Sequence, residues 1–159
     1  MLSWNSVSPS TPPDRMTVID RRSSGEFNAS AAAEVPASGA AVRSTPNLTA
    51  ILESKSFPVD THILDAAHIA PRDQLATFAA TRVLVAQHGA GLANMIWMPR
   101  GGEVIEILPP VPGYVEPIFA NLAAACGHGH RVVRQESDHA PVSDVDLLAA
   151  IDSSLTGQW

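Results

Sequence analysis

The sequence predicts an α/β fold built on a single doubly wound, mostly parallel sheet of about five strands. Three observations predict it. Short runs rich in Val, Ile and Leu alternate along the chain with segments of helical periodicity. Val83–Ala86 carries no polar residue and Val104–Leu108 carries one, Glu106, as expected of strands covered on both faces. Gly89-Ala90-Gly91 stands where a strand gives way to a helix, at the end of the sheet where α/β folds bind ligands. Right-handed crossovers place helices on both faces, giving a Rossmann-like arrangement.

In chain order, residues 1–15 are rich in Ser and Pro and are expected to be disordered. One domain is expected over residues 16–157. Met16–Ile19 reads as its first strand. Residues 23–46, mostly small residues with Pro36 and Pro46, read as a long loop that is functional or inserted. Asn47 can cap a helix over Leu48–Lys55. Val59–Leu64 is a second strand. Pro71–Thr81 is a helix with Leu75, Phe78 and Ala79 on one face, and Pro71 suits its first turn. After the Val83–Ala86 strand, Leu92, Met95 and Ile96 recur at helical spacing until Pro99 and Gly101-Gly102 stop them. The Val104–Leu108 strand follows. Val115–Ala125 is a helix with Ile118, Leu122 and Ala125 on one side, ended by Gly127. Arg131–Arg134 is a fifth strand, and Ser143 or Asp144 caps a last helix over Val145–Leu155.

Composition excludes several functions. Of 159 residues, 45% are hydrophobic, enough for a real core, and ten basic against sixteen acidic residues give a net charge of −6. Lys55 is the only lysine and no basic stripe exists, which argues against nucleic-acid binding. No apolar run approaches the roughly 18 residues of a membrane helix. The N-terminus lacks the basic and apolar regions of a signal peptide. The single cysteine, Cys126, excludes an intrachain disulfide. Asn28-Ala29-Ser30 and Asn47-Leu48-Thr49 are glycosylation sequons, which matter only in a secretory lumen.

The glycine turn carries the candidate chemistry. Without side chains, Gly89 and Gly91 let backbone amides approach an anion, and the following helix start favours negative charge, which suits a phosphate or pyrophosphate. The same glycines also serve a plain tight turn. His88 on the rim, Asn94 one helical turn on, and Glu106 in the next strand favour a ligand site, since an acid in an apolar strand needs a reason. A nicotinamide or flavin site is disfavoured: the turn follows the third strand rather than the first, and Asn94 stands where the third glycine of G-x-G-x-x-G belongs.

The string HGAGLANMIWMPRGGEVIEILP, residues 88–109, resembles the signature of glycosyltransferase family 61. The match runs through His88, Gly89, Ala90, Gly91, Leu92, Asn94, Met95, Pro99, Glu106 and Pro109, with Ala93 where the family usually has Thr. Weaker likeness extends to Thr17–Arg22, with Asp20 in place of a Ser, to Arg43–Leu48, and to Asp73–Leu75. About 130 residues lie on the family's C-terminal half, so a partial chain or a stand-alone domain is expected.

The resemblance implies a lobe like the C-terminal one of a GT-B glycosyltransferase. That lobe would move a sugar from a nucleotide-sugar donor, by default UDP-linked, to a glycan or protein acceptor, without metal or other cofactor. An alternative is a nucleotide- or nucleotide-sugar-binding module without turnover of its own. Sugar transfer needs stabilisation of a departing diphosphate. The turn amides of Gly89, Ala90 and Gly91 would supply part, and Arg21 or Arg22 a guanidinium fork. Glu106 would accept from ribose hydroxyls, Asn94 would bridge ribose or phosphate, and His88 would contact the donor. No residue is assigned as catalytic base. The family's compartment in eukaryotes, the Golgi or endoplasmic reticulum lumen, is implied likewise.

Other clusters point less clearly. Cys126-Gly127-His128-Gly129-His130 holds metal-type ligands in a spacing unusual for zinc. Asp144-Val145-Asp146 opens the last helix and reads as capping. Ser23 and Ser24 lack a nucleophile-elbow setting.

Overall fold

The computed structural model describes residues 14–20, 45–64, 69–110 and 117–157. Residues 1–13 of the segment expected to be disordered, Arg21, Arg22, Asn28 and nearly all of the 23–46 loop lie outside these residues, while Arg15, the last residue of that expected segment, instead opens the first strand.

Five strands form one sheet: β1 (Arg15–Ile19), β2 (Asp60–Leu64), β3 (Thr81–Gln87), β4 (Glu103–Leu108) and β5 (Gly129–Arg134). Their order is β2-β1-β3-β4-β5 and every pairing is parallel. The chain moves outward from β1 to β2, then crosses back to β3 on the other side of β1. The gap between the carboxyl ends of β1 and β3 is therefore a topological switch point.

The helices are α1 (Leu48–Glu53), α2 (Pro71–Ala79), a 3₁₀ helix over Ala90–Trp97, α3 (Ile118–Cys126) and α4 (Asp144–Thr156). Strand alternation sends Met16, Val18, Val83, Val85, Ile105, Ile107 and Val133 to one face, where α1 and α4 add Leu48, Ile51, Leu52, Leu147 and Ile151. Ile19, Leu64, Leu84, Ala86 and Val104 face the other way, against Phe78 of α2, Leu92 and Met95 of the 3₁₀ helix, Met98, and Ala123 of α3. The two separate cores are what double winding requires.

Three helical faces differ from expectation. After Gly91 the helix is 3₁₀, not α, so Leu92, Met95 and Met98 stack at every third residue and are buried, while Ile96 is turned out to 50% exposure. In α3 the stripe is shifted by one: Phe119, Leu122 and Ala123 face the core, and Ile118 and Ala125 are exposed. The run Ile118–Cys126 is apolar on several sides, and contact with the sheet selects the side bearing the phenyl ring. In α2, Thr77 and Phe78 are buried while Leu75 and Ala79 face outward.

Capping also differs at one helix. Asn47 precedes α1 but makes no side-chain cap there. Its amide instead donates to the Val142 carbonyl at 2.8 Å and to Asp144 Oδ1 at 3.0 Å, and its Oδ1 accepts from Val142 N at 3.0 Å. This sequon asparagine thus ties the start of α1 to the start of α4. Ser143 caps α4 as expected, its hydroxyl accepting from Asp146 N at 3.3 Å, with Asp144 and Asp146 in the first turn.

Candidate functional site

β3 ends at Gln87, and the backbone of His88 continues the ladder by one bond, its N–H donating to the Ile107 carbonyl at 2.8 Å. Gly89 then takes φ 151° and ψ −174°, a conformation open in practice to glycine alone. This lets the chain leave the sheet sharply and start the 3₁₀ helix. The helix's first internal bond runs from Leu92 N–H to the Gly89 carbonyl at 3.0 Å, so the amides of Ala90 and Gly91 precede its ladder. Asn94 Nδ2 donates back to the Gly91 carbonyl at 3.1 Å and stiffens the turn. A Cβ on Gly91 would lie 3.0 Å from Ile19 Cδ1, so the turn sits against the last residue of β1, over the switch point.

Glu106 lies in the middle of this region and is 4% exposed. Its partner across the parallel ladder in β3 is Ala86, and strand alternation aims it, like Val104, at the face covered by the 3₁₀ helix and α3. Both carboxylate oxygens are engaged. His88 Nδ1 donates to Oε1, and His130 Nε2 of β5 donates to Oε2 at 2.9 Å. Phe119 of α3 meets the His88 ring edge-on, with centroids 5.2 Å apart and an interplanar angle of 75°. Burial pushes the Glu106 carboxyl up. The hydrogen bonds from His130 and His88, with the charge those rings can carry, outweigh burial and hold it below the ordinary glutamate value.

His88, Gly89, Ala90, Gly91, Asn94 and Glu106 are therefore brought together at one end of the sheet. Arg21 and Arg22 lie outside the described residues, although they follow directly on β1 and Asp20. Asp20 itself is buried, accepts from Thr49 Oγ1 at 2.7 Å, and extends the β1–β2 ladder through its N–H to the Leu64 carbonyl at 3.0 Å. On the opposite face, beside the same strand ends, Gln87 donates to Gln135 Oε1 at 2.6 Å and to the Asp138 carbonyl at 3.2 Å.

His130 is the participant that the sequence did not single out, except as part of a metal-type cluster. Cys126 ends α3, and the two histidines of that cluster take different partners. His128 donates from Nε2 to the Met95 carbonyl at 3.0 Å, while His130 goes to Glu106. Two residues of period along β5 placed His130 on the same face as Glu106, but its neighbour in β4 was known only once the strands paired.

A profile of the family described as Glycosyltransferase 61 matches residues 4–105, nearly two thirds of the chain. This protein is a member of glycosyltransferase family 61. The matched span includes the glycine turn, His88 and Asn94, and it ends one residue before Glu106. No curated protein matches the chain. Membership assigns it a glycosyltransferase-type function in general, with a sugar donor and an acceptor as partners. Among the described residues, no helix of this family 61 member is long and apolar enough to cross a membrane.

Proposed function

We propose that this chain forms the donor-binding part of a glycosyltransferase that moves a sugar from a UDP-linked nucleotide donor to a glycan or protein acceptor, without a metal, in the lumen of the Golgi or endoplasmic reticulum. The observation that carries the reading is the position of the His88–Gly91 turn. It lies against Ile19 at the β1/β3 switch point, where open α/β sheets take nucleotides.

The departing diphosphate develops negative charge, and stabilising it is the main task of such a site. The amides of Ala90 and Gly91, at the start of the 3₁₀ helix, are placed to donate to it. Arg21 and Arg22 come next in sequence after β1 and Asp20, and we assign them the guanidinium contacts. Asn94 supports the turn through the Gly91 carbonyl. Glu106 already accepts from two rings, so we assign it to holding His88 in place and leave the ribose to residues nearer the surface.

Calorimetric titration of UDP into the purified chain tests the reading, with Gly91→Val as the control. Binding by the native chain that Gly91→Val abolishes, in a variant that keeps its far-UV circular dichroism, supports it. A folded native chain that does not bind UDP overturns it. UDP binding with no transfer to any glycan acceptor identifies a nucleotide-binding module instead.

A further inference from the structure

The contacts of β5 fix which of its residues share a face with the glycine turn. His130 reaches Glu106 on that face. Val133 joins the core on the opposite face, and there Gln135 meets Gln87. Alternation therefore holds as far as Gln135, and it sends Arg134, the last residue of β5, to the same side as His130 and the turn. Arg134 pairs with Leu108 across the β4–β5 ladder. Gln87 pairs with Ile107, and His88 N–H extends that ladder to the Ile107 carbonyl, so His88 stands beside Leu108. His88, Leu108 and Arg134 form one cross-strand row along the carboxyl edge of the sheet, where the chain turns at Gly89.

Arg134 is exposed and, among the described residues, makes no ion pair. Of the arginines that the described strands carry, Arg15 pairs with Asp60, Arg82 donates to the Leu155 carbonyl and Arg131 pairs with Glu103. Arg134 alone stands at the carboxyl end of its strand. Glu106, one row below on β4, is buried with both oxygens engaged by ring N–H groups, which leaves the guanidinium to an anion from outside the chain. We propose that Arg134 is a further donor-binding residue: its guanidinium takes the second phosphate of a diphosphate whose first phosphate lies on the amides of Ala90 and Gly91, and it thereby selects a nucleoside diphosphate over a monophosphate.

The inference rests on the donor reading above and deepens it. The row crosses two strand intervals, about 10 Å between the backbones of His88 and Arg134. A single phosphate held by the turn amides lies beyond the guanidinium, whereas the methylene stem of Arg134 and a second phosphate together close the gap. Leu108, half-buried between them, brings no charge of its own. A guanidinium suits the task because its fork donates two parallel N–H bonds to two phosphate oxygens.

Calorimetric titration of UDP and of UMP into the full chain tests the inference. The native chain should bind UDP about tenfold more tightly than UMP, the effect of one charge-assisted contact. Arg134→Ala should weaken UDP about tenfold and UMP by less than about twofold, so that the preference is lost, with the urea unfolding midpoint unchanged. Arg134→Lys keeps the charge without the fork and should recover part of the loss. Arg131→Ala removes the same charge from the opposite face of β5 and should leave both affinities as they were. A native chain without preference for UDP over UMP overturns the inference before any variant is made. So does an equal loss for UDP and UMP in Arg134→Ala, an equal loss in Arg131→Ala, or UDP affinity that Arg134→Ala leaves within about twofold. Each of these outcomes leaves the donor reading standing, provided that Gly91→Val still abolishes binding. Absence of UDP binding by the folded native chain overturns both.

Discussion

Glu106→Ala removes the acceptor of two ring N–H groups at once. Both rings have side chains only 12% exposed, so neither can turn freely to water. An orphaned buried donor costs about 1–3 kcal/mol, and two of them cost about 2–5 kcal/mol once slight exposure is allowed for. With a urea dependence of about 2 kcal/mol/M, expected for a chain of this size, the unfolding midpoint should fall by about 1–2.5 M. The pH dependence follows from the direction of the Glu106 shift. Its carboxyl is held below the ordinary value, so its contribution is fully present above the unfolded-state pKa of about 4.3 and is lost as pH falls through the lower folded-state value. The gap between the native chain and Glu106→Ala should therefore be full near neutrality and narrow below about pH 4. Urea denaturation followed by circular dichroism at a series of pH values measures it. A gap under about 1 kcal/mol at pH 7, or one that stays constant down to pH 3, refutes the reasoning, because a buried carboxylate holding two donors must show both effects.

Four further substitutions probe other parts of the argument. Gly89→Ala places a Cβ on backbone at φ 151° and should cost about 1–3 kcal/mol in thermal or urea unfolding, with little cost expected only if the turn relaxes. Asn47→Ala removes three hydrogen bonds that join α1 to the start of α4 and should destabilise the chain by about 1.5–3 kcal/mol, whereas a merely local cap would cost near 1. Arg21→Ala and Arg22→Ala should weaken UDP binding roughly tenfold or more for whichever guanidinium meets the diphosphate, as calorimetry would show, with unfolding midpoints unchanged.

β3 and β4 were the most legible strands because each holds a short, nearly continuous apolar run between turn residues. β4 was recognised from Val104 to Leu108 against an observed Glu103–Leu108. α4 was legible for a different reason: Ser143, Asp144 and Asp146 form a local capping signal that needs no partner from elsewhere. Helix faces were less so. Ile118–Cys126 and Pro71–Ala79 each contain more than one plausible apolar stripe, and only contact with the sheet chooses between them. Asn47 shows the same limit at a single residue. Local pattern makes it a cap, yet its amide finds better partners 95 residues away at Val142.

What the sequence determined by itself is the set of local features: strand, turn and helix in alternation, glycines at turns that need them, and an acid inside an apolar strand. These depend on backbone sterics and periodicity, which neighbouring residues settle among themselves. The tertiary structure decided what Glu106 touches. His88 is 18 residues before it and His130 is 24 after it, and the three meet only because β3, β4 and β5 pair in a parallel register that aims alternate side chains to one face. That register is set by packing of the whole sheet between its two helical layers, so no local reading of the chain contains it.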